Sequence, residues 1–140
     1  MRVKRIGTHS LPLPKQHTEA AAGFDLQSTE DVMIKPGHSA LVGTGFAWAI
    51  PKGYVGIIRD RSCMAVKRAI TTRAGVIDSD YRGEVKVCLV NEGVTPEHIA
   101  ASERIAQMLI TNYHKEECHE VDELDDTARG AGGFGSTGTA

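Results

Sequence analysis

Short apolar runs separated by turn-forming residues limit the folds open to this chain more than any other feature. Over residues 32–58 the runs VMI, ALVGTGFAWAI and YVGII are separated by KPGHS and PKG. Proline and glycine break regular structure and favour turns, so each run is predicted to be a strand that ends at the next turn. Short strands at this spacing are typical of an antiparallel sandwich or barrel rather than a doubly wound parallel sheet. The predicted fold class is therefore all-β.

A second stretch, residues 74–91, places polar side chains between two strand-like runs. The first run ends at Ile77, and the turn DSDYRG carries two carboxylates and a tyrosine ring. Asp, Ser and Gly favour tight reversals. Alternation in the second run predicts a half-buried strand, with Val85, Val87 and Leu89 on one face and Glu84, Lys86, Cys88 and Val90 on the other. We expect a rigid hairpin that presents Asp78 and Tyr81, which is how an active site is usually mounted.

Two further segments carry candidate ligand-binding side chains. Residues 103–110, ERIAQMLI, alternate like a strand, with Arg104, Ala106 and Met108 on one face and Ile105, Gln107 and Leu109 on the other. On that partly buried face Gln107 needs a hydrogen-bond partner, either backbone or ligand. In RDRSCMAVKR, Ser62 is predicted to cap one or two helical turns beside Arg61, which would suit an anion. On the pattern alone, an ordinary capped turn is the simpler explanation of this segment. Asp25, which stands among apolar residues earlier in the chain, is likewise predicted to be a surface or turn carboxylate.

Size, charge and cysteine content narrow the class of protein. A chain of 140 residues is long enough for one domain with its own core. No run approaches the roughly 20 apolar residues of a membrane span. Three cysteines in unrelated surroundings argue against a disulfide framework and indicate a reducing compartment, so we expect a soluble, cytoplasmic protein. The formal net charge of −2 argues against bulk nucleic-acid binding, so any phosphate would have to be bound locally.

The C-terminal part of the chain changes composition twice. Residues 114–126, HKEECHEVDELDD, carry seven acidic residues against one lysine and are predicted to be a solvated strand. Residues 129–138, RGAGGFGSTG, are too rich in glycine to pack a core. They are either a disordered terminus or an arm whose backbone N–H groups wrap phosphate oxygens while Phe134 stacks on a flat ligand.

Taken together and in this order, five segments resemble the five motifs of the homotrimeric dUTPases. They are AAGFDL (residues 21–26), RDRSCMA (59–65), AGVIDSDYRG (74–83), ERIAQMLI (103–110) and RGAGGFGSTG (129–138). The third and fifth are the most specific, and the resemblance covers almost the whole chain.

The resemblance implies a jelly-roll-like β-barrel or sandwich with a short helical turn and a flexible, glycine-rich C-terminal arm. It divides the chain into a β domain, residues 1–126, and an arm, residues 127–140, that closes an active site of a neighbouring subunit in a homotrimer. The implied reaction converts dUTP to dUMP and pyrophosphate, which keeps uracil out of DNA and supplies dUMP for thymidylate synthesis. Mg²⁺ would be held mainly by the triphosphate and waters, with no direct protein ligand. No membrane and no direct nucleic-acid partner is implied.

The resemblance also assigns roles to individual residues. Asp78 would be the catalytic base that activates a water for in-line attack on the α-phosphorus. The uracil and deoxyribose would be contacted by Ala74, Gly75, Val76, Tyr81 and Phe134. The phosphates would be bound by Arg61, Ser62, Cys63, Gln107, Arg129, Gly133, Gly135, Ser136 and Thr137. Asp25 and Asp80 would support the site.

Several positions depart from the family pattern. Asp60, Cys63 and Met64 stand where the family commonly has Pro, Gly and Leu, Arg73 replaces a common Gly, and Ala131 replaces a frequent Ser. None of them is Asp78 or Tyr81. We therefore expect altered affinity rather than lost chemistry.

Two alternative functions follow from the same resemblance. The dCTP deaminases of this superfamily carry a catalytic Glu where this chain has Cys88, and usually Pro-Gly where it has Ser79 and Asp80. Deamination is therefore disfavoured. A regulatory binding protein of this fold is the other alternative, because fold does not fix function.

Overall fold

The computed structural model describes residues 1–133, which form ten strands and one short helix. The elements are β1 (Arg2–Arg5), β2 (Gly23–Gln27), β3 (Val32–Ile34), β4 (Ser39–Ala49), β5 (Tyr54–Asp60), α1 (Ser62–Arg68), β6 (Ile70–Arg73), β7 (Val76–Ile77), β8 (Glu84–Asn91), β9 (Glu97–Ile99) and β10 (Arg104–Asn112). Residues 134–140 are outside this description.

The strands form two four-stranded sheets and one two-stranded sheet. The first has the order β1-β4-β8-β6, the second β2-β10-β5-β7, and β3 pairs with β9. All the pairings are antiparallel. Side chains from both large sheets make one core, including Val42, Phe46, Val87, Leu26 and Met108. The all-β prediction is therefore confirmed, and the architecture is a sandwich.

The predicted alternation of β8 holds for most of the strand. Val85, Val87 and Leu89 are at most 1% exposed, while Lys86 is exposed. The outward position predicted for Val90 is wrong, because Val90 is only 2% exposed. The amide of the neighbouring Asn91 donates hydrogen bonds to the carbonyl oxygens of Ile34 and Thr95, so this end of β8 is covered by other segments.

A β-bulge changes the predicted faces of β10. The register with β2 shifts between Arg104 and Ala106, and the bulge turns Ile105 into the core together with Ala106 and Met108. Grouping Ile105 with Gln107 was therefore wrong, because strict alternation cannot represent an extra residue in one strand. Gln107 is half-buried on the opposite side, as the pattern predicted.

Residues 74–83 do not form the expected hairpin between two neighbouring strands. β7 pairs with β5, whereas β8 pairs with β4 and β6. Ala74 and Gly75 have φ of 59° and 99°, and the Gly75 carbonyl accepts a 2.8 Å hydrogen bond from the Ile58 N–H. A Cβ on Gly75 would lie 3.0 Å from the Ile58 Cβ, so glycine permits this close approach. The stretch therefore leaves one sheet, touches the other and returns.

The short helix α1 begins without the predicted serine cap. Arg61 is the N-cap and makes no side-chain capping bond, so Ser62 is the first helical residue instead. The length of one to two turns is as predicted. Ala69, with φ of 51°, ends the helix.

The segment after β10 is exposed but contains no strand as far as residue 133. Residues 114–126 are all exposed, which agrees with the solvated segment that was predicted. The prediction of a strand here is wrong, because a strand needs a backbone partner and this segment has none among residues 1–133. The boundary at residue 126 stays a prediction. Within residues 1–133, no helix is long and apolar enough to cross a membrane.

Candidate active site

The loop between β7 and β8 holds Asp78 in an ordered turn. The Tyr81 N–H donates to the Asp78 carbonyl at 3.2 Å, which closes the turn. The Arg82 guanidinium then donates to the Ser79 and Tyr81 carbonyls at 2.7 and 2.8 Å. Asp78 itself is exposed. A carboxylate with a fixed backbone and an open face can take a proton from a bound water.

Tyr81 is pinned against the same loop. Its hydroxyl donates to the Glu84 carbonyl at 3.0 Å, and a Cβ on Gly83 would lie 2.3 Å from that hydroxyl. Glu84 is anchored in turn, because its carboxylate accepts a 2.8 Å hydrogen bond from the Gly45 N–H of β4. The sequence interpretation missed Gly83 and Glu84. The sequence signal for this contact is Gly83, a glycine two positions after Tyr81.

Two cavities flank Asp78. One, of about 490 Å³, is lined by Val55, Ile57, Val76, Asp78, Ser79, Asp80, Tyr113 and Lys115. The other, of about 290 Å³, is lined by Leu41, Val76, Ile77, Asp78, Tyr81, Glu84 and Lys86. The first cavity is about half polar, whereas the second is mostly apolar with a few polar groups, which suits a flat ring with a polar edge. Neither wall includes Arg61, Ser62 or Gln107, so one chain does not bring these two sets of predicted residues into either cavity.

Asp25 lies at the centre of a basic cluster. Its Oδ1 accepts a 3.1 Å hydrogen bond from the Arg61 Nε, and its Oδ2 accepts one of 3.1 Å from the Arg104 Nη1. The His17 Nε2 lies 2.9 Å from the same Oδ2. The Asp25 side chain is 16% exposed and sits within β2, so the interpretation as an ordinary surface or turn carboxylate is wrong. The carboxylate fixes the direction of Arg61 and leaves the cluster with excess positive charge.

Arg61 and Gln107 are tied to their surroundings by further bonds. The Arg61 Nη1 donates to the Arg104 carbonyl at 3.2 Å and lies 3.5 Å from the Cys63 Sγ. The Gln107 Nε2 donates to the Asp60 carbonyl at 2.9 Å, so the partner that Gln107 needed is backbone. A Cβ on Gly23 would lie 2.5 Å from the Gln107 Oε1, so this glycine leaves room for the amide. Ser62 and Cys63 are exposed beside them.

The remaining predicted site residues lie towards the C-terminus. Arg129 donates to the Gly132 carbonyl at 2.8 Å, within a series of turns that also includes the Gly130 N–H and the Thr127 carbonyl. A Cβ on Gly133 would meet no atom within 4 Å. The described structure does not bring Arg129 or Gly133 to Asp78. Phe134, Gly135, Ser136 and Thr137 lie outside the described residues.

The described residues offer no protein cage for a metal and no disulfide. Among residues 1–133, no group of three or more His, Cys, Asp or Glu side chains is placed to hold a metal ion. Cys63, Cys88 and Cys118 are free thiols. Cys88 lies in β8 opposite Leu41 of β4 and Arg73 of β6.

The architecture is that of dUTPases of known structure. A variant of the Staphylococcus bacteriophage 80alpha dUTPase, with dUpNHpp, matches with a TM-score of 0.92 and 26% identity, covering 99% of this chain and 98% of that one. A second variant from the same phage matches with a TM-score of 0.90 and 28% identity, covering 96% of each chain.

Sequence comparison agrees with the structural match. A deoxyuridine 5'-triphosphate nucleotidohydrolase of Nautilia profundicola is 51% identical over 140 residues, covering 99% of this chain and 98% of the relative. One from Anaeromyxobacter is 45% identical, covering 99% and 97%. The dUTPase family model matches residues 9–138. The chain therefore belongs to the dUTPase family.

Proposed function

We propose that this protein hydrolyses dUTP to dUMP and pyrophosphate. The observation that carries this is the position of Asp78, an exposed carboxylate on a braced turn between two cavities and beside the pinned ring of Tyr81. Family membership supplies the reaction class. The reaction keeps uracil out of DNA and supplies dUMP for thymidylate synthesis.

Asp78 acts as the general base. Its carboxylate takes a proton from a water, and the water oxygen attacks the α-phosphorus in line with the leaving pyrophosphate. Asp80, exposed in the same loop, supports the site from beside Asp78.

The nucleoside is recognised by the loop that carries Asp78. Backbone groups of Ala74, Gly75 and Val76 contact the uracil edge, and the positive φ at Ala74 and Gly75 sets their direction. Tyr81 packs against the deoxyribose and leaves no room for a 2′-hydroxyl. Phe134 stacks on the base.

The phosphates are bound by the basic cluster and the C-terminal arm. Arg61, directed by Asp25, and the amide of Gln107 donate hydrogen bonds to phosphate oxygens, with Ser62 and the Cys63 N–H beside them. The arm, residues 127–140, adds Arg129, Gly133, Gly135, Ser136 and Thr137. A slightly acidic protein can bind a triphosphate in this way, because Arg61 and Arg104 concentrate positive charge around Asp25.

Mg²⁺ fits this site as a companion of the substrate. Mg²⁺ prefers oxygen ligands and keeps several waters, and phosphate oxygens satisfy it without a dedicated protein cage. The exposed carboxylates of Asp78 and Asp80 leave room for a hydrated ion beside the substrate. When bound, the ion would neutralise charge on the phosphates.

The active protein is a homotrimer in the cytoplasm. Asp78 and Arg61 do not line a common cavity in one chain, which is expected if each site takes them from different subunits. The three free thiols suit a reducing compartment.

Release of pyrophosphate from dUTP, dCTP, dTTP and UTP in the presence of Mg²⁺ tests the function. We expect release from dUTP alone and a decrease in kcat of about 10²- to 10⁴-fold in Asp78→Asn, with nucleotide binding retained. Asp122→Asn, an exposed carboxylate outside the five motifs, is the matched control. An active Asp78→Asn variant would remove Asp78 from its role, and ammonia release from dCTP would identify a deaminase instead.

A further inference from the structure

The side chain of Asp60 joins the two large sheets immediately before Arg61. Asp60 is the last residue of β5, and its Oδ1 accepts hydrogen bonds of 2.6 Å from both the N–H and the hydroxyl of Thr72. Thr72 belongs to β6, which is in the other sheet. One carboxylate oxygen therefore fixes the end of β5 against a neighbouring layer.

Thr72 has no other strand to bond on that side. β6 is an edge strand whose pairing partner is β8. The Thr72 N–H is directed at Asp60, and an edge N–H without a partner would be left to solvent or unsatisfied. Asp60 thus replaces a neighbouring strand at this position.

The main chain of Asp60 connects to the residues proposed to bind phosphate. Its carbonyl accepts the 2.9 Å hydrogen bond from the Gln107 Nε2. The next residue, Arg61, is the N-cap of α1 and is held by Asp25 of β2. A displacement of Asp60 would therefore move Gln107 and Arg61 together.

We propose that Asp60 is a positioning residue that sets Arg61 and Gln107 for binding the phosphate chain of the substrate. The inference rests on the proposed function for the identity of that substrate. Asp60 makes no substrate contact in this scheme and acts through its two bonds to Thr72. The chemistry it serves is recognition of a polyphosphate rather than of the nucleoside.

Four variants of the 140-residue chain test this inference. Asp60→Ala removes both bonds to Thr72, whereas Asp60→Asn keeps an oxygen that accepts them. Thr72→Val removes the hydroxyl bond only. Thr71→Val, the preceding position in β6, is the matched control. The measurements are kcat and KM for dUTP and calorimetric dissociation constants for inorganic tripolyphosphate and for dUMP.

We expect Asp60→Ala to raise both the tripolyphosphate dissociation constant and the KM for dUTP by about tenfold, the scale of one lost hydrogen bond to a charged group. The dUMP dissociation constant should change less than about twofold, because the nucleoside is read by another loop. Asp60→Asn should restore nearly wild-type affinity. Thr72→Val should lose about threefold, and Thr71→Val should match the wild type.

Other results would overturn the inference. Unchanged tripolyphosphate affinity in Asp60→Ala would do so, and so would equal losses for dUMP and tripolyphosphate, which indicate general structural damage. If Asp60→Ala does not fold, unchanged affinity in Thr72→Val is the contradicting result. If the wild type does not hydrolyse dUTP, the proposed function fails, but the tripolyphosphate titration still decides the role of Asp60. A wild type that binds no tripolyphosphate contradicts the inference itself.

Discussion

At the scale of single residues, the hydroxyl of Tyr81 holds its ring in place before any substrate arrives. The bond to the Glu84 carbonyl is 3.0 Å long, and Gly83 gives the hydroxyl the space it needs. We expect Tyr81→Phe to lower the preference for dUTP over UTP about fivefold, because a neutral hydrogen bond contributes about 1 kcal/mol. The ratio of kcat/KM for the two nucleotides measures this preference.

Tyr54→Phe is the matched control for this change. Tyr54 is 44% exposed, close to the 45% of Tyr81, but it lies at the start of β5. Its ratio should equal that of the wild type. If Tyr81→Phe also keeps the wild-type ratio, packing rather than the hydroxyl positions the ring.

The identities of the proposed phosphate-binding residues could be predicted from the sequence, but their hydrogen-bond partners could not. Arg61 and Gln107 stand in recognisable motifs, whereas Asp25 is 36 positions from Arg61 and Asp60 is 47 positions from Gln107. Side chains this far apart meet only when the strands have paired, so no local spacing reports the contact. In the sequence, Asp60 is only a departure from the family pattern, because its bonds to Thr72 form between strands of different sheets.

At the scale of elements, local pattern predicted where strands run better than which strands pair. The apolar alternation of β8 and the turn residues around β4 and β5 are local signals, and those elements formed. The expected hairpin does not form, because β7 is only two residues long and pairs with β5 instead of β8. The turn at Gly75 directs the chain towards β5. The bulge in β10 was also missed, since nothing in ERIAQMLI marks an extra residue.

The helix α1 is fastened to the β9–β10 region by Arg68. Its Nε donates to the Glu97 Oε2 at 2.6 Å, and its Nη1 pairs with the Glu103 carboxylate. Burial alone would lower the pKa of the Arg68 guanidinium, but the hydrogen bond with Glu97 and the charge of Glu103 outweigh it and the pKa is raised. Arg68 therefore stays charged at neutral pH.

We expect Arg68→Met to lower the free energy of unfolding by about 1–2 kcal/mol, because it leaves two half-buried carboxylates without their cation. Urea denaturation at fixed protein concentration measures this free energy. Lys67→Met, an exposed neighbour in the same helical turn, should change it by less than about 0.5 kcal/mol. Equal effects of the two substitutions would show that Arg68 contributes only as a surface charge.

At the scale of the whole molecule, the sequence predicted the fold class because the feature that defines it, short strands between turns, is present in local composition. Local composition does not predict the oligomeric assembly in the same way. A shared site depends on surfaces of several chains, and the trimer proposal is supported by the absence of Arg61 from both cavity walls that contain Asp78.

The C-terminal arm provides the sharpest test at this scale. Residues 127–133 are bonded to one another through turns and are almost wholly exposed, so they add little to the core. We expect deletion of residues 127–140 to lower kcat/KM for dUTP at least about 100-fold, since several phosphate donors leave together. The melting temperature and the sedimentation coefficient should stay close to those of the full chain.

A shorter truncation separates the arm's chemistry from its length. Deletion of residues 138–140 keeps Arg129, Gly133 and the proposed phosphate donors Ser136 and Thr137, so its kcat/KM should remain within about twofold of the wild type. Normal rates after removal of residues 127–140 would make the segment a simple terminus without a catalytic part. A large fall in melting temperature would instead show that the arm stabilises the subunit, and the loss of activity could then not be assigned to phosphate binding.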